Sequence, residues 1–331
     1  MRVSTILAAS TASLALAAPV QHKRANKLQF FGVNESGPEF GETNLPGTKD
    51  TDYVWPTLST IDTFYNKGMN TFRVNILMER LTHSSMSDTL DADYLADLKE
   101  TVNYITKLGA YAVVVPHNYG RFNGNIITDT DGFKGWWKTV ATEFKDNEKV
   151  IFDTINEFHD MDQTLVVNLN QAAIDGIRAA GATSQYITVE GNSWTGAWSW
   201  KSSGNADTMG NLTDTEDKLI YQMHQYLDSD SSGTSETCVS STIGKERIEE
   251  ATQWLKDNNK KGLLGEFAGG VNDVCKDAVK GMLSYIDDNS DVWTGAIWWA
   301  AGPWWGSYFA SIEPTDGVAF DGYLDLLMEY A

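Results

Sequence analysis

Two glutamates each close an apolar run. Glu157 follows VIFDTIN (150–156), and Glu266 is the last residue but one of KGLLGEF (261–267). A carboxylate there is costly, because burial disfavours the charged form. Catalysis is one reason to place it there. One such group can give and take a proton while a second, facing it, acts as nucleophile or base. Two carboxyl groups used in this way suit glycosidic bond cleavage. A single strand-end Glu is as readily a structural ion-pair partner. The pair, with Asn156 beside one member and Tyr226 available to the other, points to chemistry.

These residues need a scaffold that brings distant strand ends together. Eight short apolar runs recur along the chain: LQFFGVN (28–34), MNTFRVN (69–75), AYAVVVPHN (110–118), VIFDTIN (150–156), QYITVEG (185–191), LIYQMHQY (219–226), KGLLGEF (261–267) and VWTGAIWW (292–299). Between them lie stretches of helical period. YLADLKETVNYITKLG puts Leu95, Leu98, Val102 and Ile105 on one face, and Gly109 stops it. TLVVNLNQAAIDGIRAAG and GKERIEEATQWLKDNNKKG behave alike. Eight β–α units in one α/β domain predict a (β/α)8 TIM barrel. An open doubly wound sheet is less suited, since GVNESGPEFG after the first run lacks the glycine-rich phosphate loop of that class.

A barrel gathers its functional residues at the C-terminal ends of the strands. Those ends read Asn34-Glu35, then Arg73 with Asn75, His117-Asn118-Tyr119, Asn156-Glu157, Glu190-Gly191-Asn192, His224-Gln225-Tyr226, Glu266 and Trp298-Trp299. Polar and aromatic side chains thus converge on one face. Twelve tryptophans are many for one domain. Trp194, Trp198, Trp200, Trp304 and Trp305 fall in loops after the fifth and eighth strands and are expected to rim that face. Indole rings bind the apolar C–H faces of sugars without charge.

The N-terminus reads as an export signal. Arg2 precedes an apolar, small-residue stretch to Ala18, too short to span a membrane comfortably. We expect a signal peptide over 1–18, a pro-segment over 19–24 ending Lys23-Arg24, and a catalytic domain over 25–331. Losing Arg2, Lys23 and Arg24 takes the formal charge from −20 to −23. So acidic a protein is repelled by nucleic acid and anionic membranes, and a neutral substrate suits it. Two cysteines, Cys238 and Cys275, in a secreted chain predict one disulfide, with two buried thiols as the alternative. Of two N-x-S/T sequons, Asn211 lies in a polar stretch and is a glycosylation candidate, whereas Asn34 follows an apolar strand pattern.

FRVNILMERL, VVPHNYGR, TINEFHDMDQ, VEGNSWTGAW, MHQYLDSD, GEFAGG and WWAAGPWW, in this order, resemble glycoside hydrolase family 5. They are most similar to its fungal endo-β-1,4-glucanases without a cellulose-binding module, from about Phe30 to the C-terminus. The resemblance implies Glu157 as acid/base and Glu266 as nucleophile. It implies that Asn156 bonds the sugar 2-hydroxyl, that Arg73 keeps Glu266 ionised and that Tyr226 donates to it. His117 and His224 would position the sugar and the acid/base, and Trp299 would floor the site. A cis bond at Trp299-Ala300 is a further expectation. Phe158 stands where the wider family often has Pro.

The expected activity is therefore a secreted, retaining endo-β-1,4-glucanase acting on β-glucan as a monomer. It needs neither cofactor nor metal. Retention requires the two carboxyl groups to lie about 5–5.5 Å apart. Related barrels with the same Glu pair cut mannan, xyloglucan or β-1,3-glucan. A non-catalytic carbohydrate-binding barrel is a further alternative; loss of either glutamate would support it, and both are present. A metal hydrolase needs clustered ligands, yet after the pro-segment only His83, His117, His159 and His224 remain, with no H-x-H or H-E-x-x-H. GNSWT is not the G-x-S-x-G of a serine hydrolase.

Overall fold

A computed structural model describes residues 28–331. The expected signal peptide, the expected pro-segment and the first residues of the expected catalytic domain lie outside the described residues. Eight parallel strands close into a barrel: β1 (Phe30–Glu35), β2 (Thr71–Ile76), β3 (Tyr111–Pro116), β4 (Val150–Asp153), β5 (Tyr186–Glu190), β6 (Leu219–His224), β7 (Gly262–Phe267) and β8 (Trp293–Ala301). Each pairs with its sequence neighbours, and β8 closes onto β1.

Alternation along the strands sorts the side chains. Phe31, Val33, Phe72, Val74, Val114, Phe152 and Val189 are buried in the layer between barrel and helices. Phe30, Val113, Ile151, Ile220, Leu263 and Ile297 form a separate apolar cluster inside the barrel. Tyr111 and Tyr186 pack edge-on against Phe30, with centroids at 5.0 and 5.6 Å. Two residues further along the same strands, the inward positions turn polar: Asp153 on β4 and Gln222 on β6, both fully buried. The barrel thus has an apolar floor and a polar plug above it.

The helices follow their capping chemistry. Asp91 accepts from the backbone N–H groups of Asp93 and Tyr94 and starts α2 (Ala92–Lys107), after α1 (Leu58–Lys67). Leu98, Val102 and Ile105 bury one face of α2, with Leu95 partly buried beside them, and Gly109 leaves it at φ 96°. Asp129 caps α3 (Thr130–Thr142), and Asp162 caps α4 (Gln163–Ala179). α5 (Ile243–Asp257), α6 (Asp273–Asp288), capped by Asn272, and α7 (Phe320–Leu327) complete the outer layer.

Two features depart from the regular β–α alternation. The fifth crossover holds only a one-turn helix, Asn205–Thr208, and a 3-10 turn, Met209–Asn211. Its sequence explains this: Gly191, Gly196, Gly204 and Gly210 interrupt any apolar period of 3.6. A small hairpin, Arg121–Phe122 with Asn125–Ile126, extends the loop after β3. Cys238 and Cys275 are disulfide-bonded, tying the loop after β6 to the start of α6. Asn211 is exposed. Asn34 is buried with its amide donating to the carbonyls of Gly265 and Trp298, so that sequon is closed to a glycan.

Candidate active site

Glu266 sits in β7, one residue before its end, with 4% of its side chain exposed. Both oxygens are held. Arg73 Nη1 donates to Oε1 at 2.8 Å, and Tyr226 Oη donates to Oε2 at 2.7 Å. His117 Nε2 lies 3.8 Å from Oε1, and His224 Nδ1 lies 3.6 Å from Oε2. Burial alone would push this carboxyl up. His224, His117 and the Arg73 guanidinium outweigh it and hold it well below the usual carboxylate range. Tyr226 moves the other way: burial and the facing Glu266 raise its phenol well above the ordinary value, so it stays a donor.

Glu157 is placed differently from expectation. β4 ends at Asp153, and Glu157 lies four residues beyond it in an irregular segment. This segment leaves the ladder but is still pinned. Thr154 N–H donates to Thr188 O at 3.0 Å, and Asn156 N–H to Pro116 O at 2.9 Å. The backbone then turns at Glu157 into the left-handed region, φ 51°, which aims the side chain into the mouth. His224 Nδ1 lies 2.6 Å from Glu157 Oε1. The Glu157 side chain keeps 13% of its surface, so a substrate can reach it. One carboxylate oxygen of Glu157, one of Glu266 and a ring nitrogen of His224 all lie within 4.8 Å of one another. Arg73 and Tyr226 each donate one hydrogen bond to an oxygen of Glu266.

Asn156 is fully buried, and its Oδ1 accepts from Arg73 Nη2 at 2.7 Å. That contact fixes the amide orientation and leaves Nδ2 without a protein partner. His117 Nε2 is likewise without a hydrogen bond. Trp299 lies within β8 and stacks on His117, with centroids at 5.4 Å and planes at 21°. The Trp299-Ala300 bond is cis, as expected. All eight expected active-site residues therefore meet at one mouth.

Two cavities meet at Tyr119, which lines both. On the Glu157 side lies a cavity of about 710 Å³ lined by Trp194, Trp198, Tyr226 and Ser231. On the other lies one of about 400 Å³ lined by His117, Trp299, Trp305 and Glu39. Trp194 and Trp198 are about half exposed, as a rim requires. Trp200 is not part of the rim: it is fully buried and packs against Trp254 of α5 at 5.2 Å. Trp304 is half exposed but lines neither cavity.

A family profile, Cellulase (glycosyl hydrolase family 5), matches residues 33–302. The chain belongs to glycosyl hydrolase family 5. Its relatives in this family include the probable endo-beta-1,4-glucanase B of Aspergillus kawachii, 61% identical over 99% of this chain and 98% of that protein. The endo-beta-1,4-glucanase B of Aspergillus niger is 61% identical over the same shares. Among solved structures, XacCel5A in complex with cellopentaose superposes with a TM-score of 0.88 at 37% identity, over 92% of this chain and all of that one.

The family 5 site also contains residues that the sequence reading left out. Arg73 has three carboxyl partners, not one: Asp153 at 3.1 Å and Glu190 at 3.0 Å join Glu266. Gln222 Nε2 donates to Asp153 at 2.6 Å and also to Glu190. Gly265 makes room for Gln222, since a Cβ there would lie 2.4 Å from its Cδ. Asp153 had a signal, a charge in the middle of VIFDTIN. Glu190 was visible as a strand end, but nothing in the sequence paired it with Arg73.

Proposed function

We propose that this family 5 protein is a secreted endo-β-1,4-glucanase that works by double displacement with retention. The observation that carries the reading is that one carboxylate oxygen of Glu157 and one of Glu266 lie within 4.8 Å, with Glu266 held as the anion. That approach suits direct attack across carboxyl groups about 5–5.5 Å apart better than inversion, which places a water between carboxyl groups about 6.5–9.5 Å apart. Glu157 gives its proton to the leaving oxygen as Glu266 attacks the anomeric carbon and the glycosidic C–O bond breaks. Glu157 then takes a proton from the water that displaces Glu266. Asn156 Nδ2, buried and without a partner, is placed to donate to the 2-hydroxyl of the reacting sugar. His224 orients Glu157, His117 and Trp299 cradle the ring, and the open cleft on both sides admits an internal stretch of polymer.

β-1,4-Glucan is favoured by the named activity of the fungal relatives and by the cellopentaose complex of the similar structure. Export is supported by the apolar stretch before Ala18 and by the disulfide. We infer a mature chain starting near Ala25, a monomer, and Asn211 as the glycan site. No described helix is long and apolar enough to cross a membrane.

Reducing-sugar release from carboxymethylcellulose, barley β-glucan, galactomannan and laminarin tests the substrate, with Glu266→Ala in parallel. Release from the first two, absent in the variant, is expected. Release mainly from galactomannan or laminarin would overturn the β-1,4-glucan assignment. Proton NMR of the first product tests retention, and an initial α-anomer would exclude it.

A further inference from the structure

Glu190, at the end of β5, has no part in the mechanism above. It is fully buried, yet each of its oxygens meets donors from a different part of the site. Oε2 accepts the backbone N–H of Glu157 at 2.6 Å. Oε1 accepts from Arg73 Nη2 at 3.0 Å and from Gln222. His224 Nε2, which has no hydrogen bond of its own, lies 3.6 Å from Oε1. The same imidazole holds Glu157 Oε1 through Nδ1. One carboxyl group therefore touches the backbone of the acid/base, the ring that orients it, and the guanidinium that serves the nucleophile.

We propose that Glu190 is a positioning residue that fixes Glu157 relative to Glu266. The need arises locally. Glu157 lies beyond the last ladder bond of β4 and has a positive φ, which a residue with a Cβ adopts only where its surroundings hold it. The peptide N–H of Glu157 has Glu190 as its acceptor instead of a neighbouring strand. Because Glu190 is also bonded to Arg73, the acid/base is referenced to the same guanidinium that holds Glu266. A Gln at 190 could not serve both sides. Its amide nitrogen would face a donor, either the Glu157 N–H or Arg73 with Gln222.

The proposal rests on the retaining glycosidase reading, and its test separates the two. Cleavage of cello-oligosaccharides needs Glu157 to protonate a poor leaving group. With 2,4-dinitrophenyl β-cellobioside, Glu266 attacks, the C–O bond breaks and dinitrophenolate departs without a proton. Glu190→Gln is expected to lower kcat/KM on cellopentaose by about 10²-fold, the lower end of general-acid catalysis. The dinitrophenolate burst rate is expected to stay within about 3-fold of wild type, because Glu266 keeps Arg73 and Tyr226. Equal losses on both substrates, or none on either, would overturn the proposal. Should Glu190→Gln not fold, Glu190→Asp serves: its shorter carboxylate keeps a charge near Arg73 but withdraws from the Glu157 N–H, and the same selective loss is expected. A wild-type enzyme that cleaves cellopentaose with inversion would overturn the mechanistic reading itself.

Discussion

Tyr226 and Arg73 hold Glu266 from opposite sides, Tyr226 on Oε2 at 2.7 Å and Arg73 on Oε1 at 2.8 Å. Both donors favour the anion. Removing the phenol leaves one oxygen of a buried carboxylate without its bond. A hydrogen bond to a charged group contributes about 1.5–3 kcal/mol, so Tyr226→Phe should lower kcat/KM by roughly 10-fold or more. It should also move the acid limb of the pH–rate profile upward, since protonating Glu266 becomes easier. An acid limb unchanged from wild type would show that Arg73 and the histidines suffice.

The tryptophans of the fifth crossover predict opposite phenotypes. Trp194 is 49% exposed, stacks on His159 at 4.6 Å, and lines the cleft. Trp194→Ala should raise KM on long cello-oligosaccharides several-fold, about 1 kcal/mol of stacking, and leave the melting temperature alone. Trp200 is fully buried against Trp254. Trp200→Ala should cost about 3–5 kcal/mol of stability. Kinetics and calorimetry on both variants decide, and a destabilised Trp194→Ala would place that ring in the core.

Glu35 makes stability depend on pH. It is fully buried at the end of β1, and neither carboxyl oxygen has a protein hydrogen-bond partner. Burial, then the nearby Glu313, raise its carboxyl well above the ordinary value. The folded chain therefore keeps a proton that the unfolded chain releases above about pH 4.3. The stability this proton contributes is full below that pH and is lost as pH rises toward the folded value. Glu35→Met should raise the melting temperature, more at pH 8 than at pH 4. A uniform shift across that range would mean the proton is not held at Glu35.

The Cys238–Cys275 bridge closes a loop of 37 residues that includes α5. In the chain-entropy model this stabilises by about 3–4 kcal/mol. Replacing both cysteines by Ala should lower the melting temperature by roughly 5–7 °C for a chain of this size. The cleft residues Asp230, Ser231 and Ser232 lie six to eight positions before Cys238, so proteolysis in that loop should also accelerate.

Most of the barrel could be read from the chain because its strands are short apolar runs with polar ends. The eight runs match the eight strands within a few residues, and Arg73, Asn156, Glu157, Glu266 and Trp299 meet where strand ends should meet. What escaped depends on contacts between distant positions. Nothing near Glu190 tells that its carboxyl reaches back 33 residues to the peptide of Glu157. The irregular exit of β4 was hidden because Thr154-Ile155 continue the apolar pattern after ladder pairing has stopped. Trp200 reads like Trp194 and Trp198 because the turn before it is made by Ser193, Trp194 and Thr195 at positive φ, which neither polarity nor period signals.

Arg73 is both the counter-ion of Glu266 and the centre of the polar plug that fills the barrel. Breaking a buried ion pair by removing one partner costs about 3–5 kcal/mol. Removing Arg73 would strand Asp153, Glu190 and Glu266 together. Divergence is therefore constrained in a particular way. A descendant can lose Glu157, at the half-open edge, and stay folded, but it can shed Arg73 only if several plug residues change with it. Change in this lineage should begin at Glu157 and leave the charged centre as the last part to be rewritten.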